Sequence, residues 1–163
     1  MAAKTNKQLI LEFESFIPYI QSLDSIEDAD WEAPLEAGKW SLQDLLCHIM
    51  LWDKYFYEEA LVKIQEGLPL TAAHLDFNAF NANAVLYAKT VTRQEAARQF
   101  VLYRTKITGL AASFSDEALE QNHPDGDGKK FSIRKYLRDF ISHDKHHKKQ
   151  IDKYAASVAV TKT

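Results

Sequence analysis

The 163-residue sequence is poor in the residues that make turns and covalent staples. It has five glycines and four prolines, about half the roughly 12% share usual in globular chains. Turns depend on these residues, so few turns and long elements are expected, and many-stranded sandwiches and barrels are disfavoured. The single cysteine, Cys47, excludes an internal disulfide and suits a reducing cytoplasm. No run approaches the ~20 apolar residues that a membrane-spanning helix needs. The start, Met1 to Lys7, lacks the apolar core of a secretion signal, so a cytoplasmic location is expected. Nor is there an excess of basic charge: 20 Lys and Arg face 23 Asp and Glu, for a net charge of −3. A phosphate-binding face needs such an excess, so neither nucleic acid nor a membrane is the expected partner.

What remains is an ordinary globular composition, 46% hydrophobic and 26% charged, read as one domain over residues 1–163. Four helical stretches stand out. The first opens on Thr5-Asn6-Lys7-Gln8, a capping box, and carries Leu9, Ile10, Phe13, Phe16, Ile17 and Ile20 at helical spacing. Pro18 should kink or end it. A loop is expected from about Ser22 to Lys39. The second helix starts at the cap Ser41 and runs from Leu42 to about Glu66, where Gly67 and Pro69 stop it. The third stretch, from about Asp76 to Phe114, falls into two pieces at the Thr92-Arg93-Gln94-Glu95 cap. The fourth runs from about Ser132 to Tyr154, with a frayed tail over residues 155–163. Four apolar stripes bury each other most simply in an all-α bundle.

The chemistry-bearing residues are histidines. With His143 set at 0° and about 100° per residue, His147 falls near 40°, Phe140 near 60°, and Ile133 and Ile151 near 80°. His143 and His147 therefore share the apolar stripe, while His146 points about 100° from its centre. Two histidines at i and i+4 can converge on one ion, as in HExxH metalloproteases. Asp144 projects about 100° from His143, so a base of that protease type is not indicated. His48 is a third histidine on an apolar stripe, beside Leu45, Trp52 and Phe56. A lone histidine on such a face is more often a hydrogen-bonded core residue. Three unpartnered imidazoles are costly to bury, which favours a metal.

Two segments then resemble a known family. Gly38-Lys39-Trp40-Ser41 leads into Leu45-Leu46-Cys47-His48, and Phe131-Ser132-Ile133-Arg134 leads into His143-Asp144-Lys145-His146-His147-Lys148-Lys149-Gln150-Ile151. Their order resembles the DinB-like (YfiT-like) superfamily, and Asp76-Phe77-Asn78-Ala79-Phe80-Asn81 resembles one branch of it. The likeness spans most of the chain from Trp31 to Tyr154. It implies a four-helix bundle with a long crossover connection and a divalent transition metal, zinc, nickel or iron, on His48, His143 and His147. The activities it implies are diverse: thiol-dependent S-transfer, isomerisation and hydrolysis.

The expected function is accordingly a metal-dependent hydrolase or thiol-dependent transferase. It would act on a small-molecule substrate at a three-His site with open positions, with a low-molecular-weight thiol as a candidate co-substrate. The alternative is a non-catalytic small-molecule binding or resistance protein with a structural or vestigial metal site. A homodimer stays open, and no general base is assigned. Asp44 and Asp139 each lie one turn before a histidine, but a helix cap and a solvated charge explain them better. Gln150, one turn after His147, either bonds near the site or faces water. Asp125-Gly126-Asp127-Gly128 is read as a tight turn, because Tyr136 stands where a calcium loop needs glutamate. Cys47 is expected to be buried and inert, and Tyr55, Tyr87 and Tyr103 to be core. Lys145, Lys148, Lys149 and Lys153 form a solvated face. His74 and His123 fall in loops and receive no role.

Overall fold

The computed structural model describes residues 2–161, apart from the side chain of Thr161. It is an all-α four-helix bundle. Helix α1 (Asn6–Glu14) begins at the Thr5 capping box, which is fully formed. A break at Ser15 separates it from α2 (Phe16–Gln21). Pro18 accounts for the break: it has no amide to offer the Glu14 carbonyl, and its ring crowds that oxygen. The expected loop after it holds a 3₁₀ turn over Ser22–Ser25 and the short helix α3 (Asp28–Glu32), whose Trp31 is buried.

Helix α4 (Leu42–Phe56) starts at Ser41, where Ser41 and Asp44 form a reciprocal capping box. Asp44 is thus a cap, as its position predicts. The helix passes through a π turn, Tyr57–Leu61, into α5 (Val62–Glu66) and stops at Gly67. Next come α6 (Phe77–Ala88) and α7 (Arg93–Ser113). Thr92 caps α7 through the Glu95 amide, but the Glu95 carboxylate turns to Arg98 and Gln99, so only half of that box forms. A short α8 (Asp116–Glu120) leads to β1 (His123–Pro124), which pairs antiparallel with β2 (Lys130–Phe131) across the Asp125–Gly128 turn. Helix α9 (Ile133–Thr161) is the last described element. Its length corrects the expected fraying over residues 155–161, and residues 162 and 163 of that expected tail lie outside the described residues. Ala155, Ala156 and Ala159 favour helix, and no Gly or Pro interrupts them.

The long helices pack in the ring order α1, α7, α4, α9. The connection between α2 and α4 therefore crosses the bundle diagonal, which is the long crossover, and so does the connection between α7 and α9. One half of the core gathers Phe13, Leu61, Ile107, Ile133 and Leu137; the other gathers Phe16, Leu42, Leu46, Phe100 and Ile151. Among the described residues, no helix is long and apolar enough to cross a membrane.

Two local devices aim residues at the region between α4 and α9. Gly38, at a φ of 74°, allows the tight turn in which the Leu35 amide donates to the Trp40 carbonyl at 2.9 Å. Trp40 is thereby set against His48, with ring centroids 4.9 Å apart. At the π turn, the Glu59 carbonyl accepts from the amides of Thr71 and Ala72, both at 3.0 Å. The Tyr55 hydroxyl accepts from the Ala73 amide at 2.9 Å and donates to the Ala73 carbonyl at 3.2 Å. This strap leads into α6 and fixes Phe77, Phe80 and Asn81 beside α4.

Candidate metal centre

The helical periodicity that aligns His143 and His147 operates in α9. Their Nε2 atoms lie 3.2 Å apart. From α4, His48 brings its Nε2 to 3.1 Å from His143 Nε2. The three ligand-type nitrogens all fall within 4.8 Å of one another, and among the described residues no carboxylate or thiol joins the group. His48 and His147 are buried and His143 is half-buried, while His146 is exposed, as the helical wheel predicts.

The chemistry of the donor set fits a cation. A tetrahedral ion with Zn–N bonds of about 2.0–2.1 Å holds its nitrogens about 3.3 Å apart. Both observed separations, 3.1 and 3.2 Å, are close to that. Hydrogen bonding among the rings does not explain the cluster equally well. Each Nε2 has one in-plane site, either a proton or a lone pair, yet His143 Nε2 faces two neighbours. A shared cation satisfies all three at once.

The local electrostatics keep the rings neutral, the form that binds metal. Burial pushes His48 down to about 4; His147 adds to the effect and Asn81 opposes it. Burial likewise pushes His143 down to about 3, helped by His147, His48, His146 and Arg104. His147 is lowered by burial, against its contact with Gln150. Aromatic rings close one side. Phe140 packs on His143 at 5.3 Å, and Trp52, one turn after His48, stacks on Phe80 at 3.9 Å and meets Phe56 and Phe140.

Residues 19–151 match the DinB superfamily. The chain belongs to the DinB superfamily. No curated protein matches it. Among solved structures, YfiT from Bacillus subtilis, described as a probable metal-dependent hydrolase with an unusual four-helix bundle topology, superposes with a TM-score of 0.77. It is 15% identical, and the match covers 98% of this chain and 90% of YfiT. An uncharacterised protein from Clostridium difficile 630 gives a TM-score of 0.66 at 15% identity, covering 91% of this chain and 98% of that one. A Streptococcus pneumoniae protein gives 0.65 at 15% identity, covering 93% and 94%. These likenesses establish the shared fold.

This DinB superfamily chain also holds a buried ionic cluster that its sequence reading missed. Arg104 of α7 is fully buried. Its guanidinium donates to Asp53 of α4 at 2.8 and 3.1 Å and to Asp144 of α9 at 2.7 and 3.3 Å. It also donates to the Phe13 carbonyl of α1 at 3.0 Å and lies 3.7 Å over the Phe13 ring. One side chain thus ties all four long helices. Burial works against the charge on Arg104, but its two carboxylate neighbours outweigh that and raise its pKa. Burial raises Asp53 to about 6 and also raises Asp144, with Arg104 opposing both shifts. The signal was present: Arg104 falls about 40° from Phe100 and about 60° from Ile107 on the helical wheel, a charge inside an apolar stripe.

The remaining candidates divide simply. Asp139 pairs with Lys135 on the surface. Lys145, Lys148 and Lys153 pair with Glu12, Asp152 and Glu36 at exposed sites. Cys47 is fully buried. Gln150 does reach the site, with its Oε1 2.8 Å from His147 Nδ1.

Proposed function

We propose that this chain holds one divalent transition metal on the Nε2 atoms of His48, His143 and His147 and acts with it on a small molecule, as a hydrolase or a thiol-dependent transferase. One observation carries the reading: three neutral imidazoles from two helices converge at metal-ligand spacing, and among the described residues no carboxylate, thiol or further imidazole joins them. Three protein ligands with an open position is the arrangement of catalytic rather than structural zinc. When bound, the cation supplies Lewis-acid polarisation of a carbonyl and a lowered pKa for water or a thiol. The chain's own residues do the rest. Burial keeps the rings deprotonated at Nε2, Gln150 holds the Nδ1 proton of His147, and Trp40, Trp52, Phe80 and Phe140 limit water on one side.

The absence of a carboxylate from the group favours one alternative, a binding or resistance protein whose metal is structural. A thiol co-substrate lessens the need for a protein base, because a bound cation acidifies the thiol itself. The two readings separate by experiment. Purified protein is assayed for zinc, nickel and iron beside His48→Ala and His147→Ala, then for turnover of activated esters with and without a low-molecular-weight thiol. Metal with turnover supports the enzyme, and metal without turnover supports the binding protein. Wild type with no affinity for any of the three metals overturns both.

A further inference from the structure

A cation held on Nε2 leaves the imidazole proton on Nδ1, and each buried Nδ1–H then needs an acceptor. The three rings differ in what they are offered. His147 Nδ1 has Gln150 Oε1 at 2.8 Å, from the next turn of the same helix. His48 Nδ1 and His143 Nδ1 are both buried without a hydrogen-bond partner.

That acceptor is an amide. Histidine ligands frequently donate instead to carboxylates, which raise ligand basicity and pass negative charge toward the ion. Here two carboxylates on the ligand helices are engaged elsewhere, Asp144 on Arg104 and Asp44 in its cap.

We propose that Gln150 is the positioning residue of the three-His centre. It accepts the Nδ1 proton of His147, and as an uncharged amide it leaves a bound dication its full double charge. The inference rests on the reading of these histidines as metal ligands. It follows that the centre trades affinity for electrophilicity: a carboxylate at this position would bind metal more tightly and polarise less.

The test uses the full chain and zinc alone. Zinc affinity is measured at neutral pH by competition with a chromophoric chelator for the parent, Gln150→Leu and Gln150→Glu, with helicity checked for each. The leucine variant should bind zinc about ten- to hundredfold more weakly, and the glutamate variant more tightly than the parent. Opposite signs are the discriminating readout, because a purely structural role makes both substitutions weaken binding. Gln150 is exposed, so its variants keep the fold. If the parent binds zinc while Gln150→Leu stays within about twofold of it, or Gln150→Glu binds no tighter, the inference is overturned alone. If the parent binds no zinc, nickel or iron, the metal reading falls and takes the inference with it.

Discussion

Arg104 donates to Asp144 at 2.7 Å, and Asp144 is the residue that follows His143 in α9. The same guanidinium grips Asp53, five residues beyond His48 in α4. The helices that carry the three histidines touch each other only thinly, and both pack through this cluster. Arg104 therefore sets the register at which His48 meets His143 and His147.

Removing Arg104 alone strands two buried carboxylates. Arg104→Met should destabilise the fold by about 3–5 kcal/mol in chemical denaturation. Replacing the whole cluster, with Asp53→Leu and Asp144→Leu added, should recover most of that loss, because three apolar side chains carry no desolvation cost. The register is no longer specified in the triple variant, so its zinc affinity should stay below wild type despite the recovered stability. Equal affinity would show that packing alone aligns the histidines.

The metal-free protein should lose stability in acid through its histidines. Their ordinary value is 6.5, and folding lowers His48 to about 4 and His143 to about 3. Between those values the unfolded chain binds protons that the fold excludes, so stability is full above pH 6.5 and falls as pH drops toward 4. The loss should be on the order of 2–3 kcal/mol for each of the two histidines between pH 7 and 4.5. Asp53, raised to about 6, works in the opposite sense over part of that range. The histidine part is therefore read as the difference between the parent and a His48→Leu/His143→Leu variant, which should lack this acid-side fall.

Much of this was legible in the sequence. Capping boxes at Thr5 and Ser41 and the stop at Gly67 are local signals, and they marked helix ends to within a residue or so. The pairing of His143 with His147 follows from one helical turn. The approach of His48 depends on tertiary packing; its place on an apolar stripe suggested it, and the family likeness strengthened it. Arg104 was missed because attention to apolar periodicity passes over a charge inside a stripe. The π turn at Tyr57–Leu61 was missed because no local residue announces it. Its cause is tertiary, the docking of Thr71 and Ala72 on the Glu59 carbonyl.

That strap has little slack. A Cβ added at Gly126 would stand 3.1 Å from the Ala72 carbonyl oxygen and from Ala73 Cβ. Gly126→Ala should cost about 1–3 kcal/mol. Amide exchange at Thr71 and Ala72 should rise more than exchange in α7. Uniform change across the chain would argue against a local strap.

Cys47 should be silent in the native state. Burial, with a smaller contribution from Asp44, pushes its thiol up to about 12. Reaction with a chromogenic disulfide at neutral pH should run at least about a thousandfold slower than for an exposed cysteine and become fast on unfolding. Rapid native reaction would mean that α4 opens beside His48.

Anomalous scattering from crystals of the zinc-loaded protein, with data on either side of the zinc edge, locates the ion. One strong peak is expected about 2.0–2.1 Å from the Nε2 atoms of His48, His143 and His147. At least one coordination position should be taken by a non-protein ligand. A peak elsewhere, no peak at the three nitrogens, or a fourth protein ligand closing the sphere would contradict the proposed metal centre.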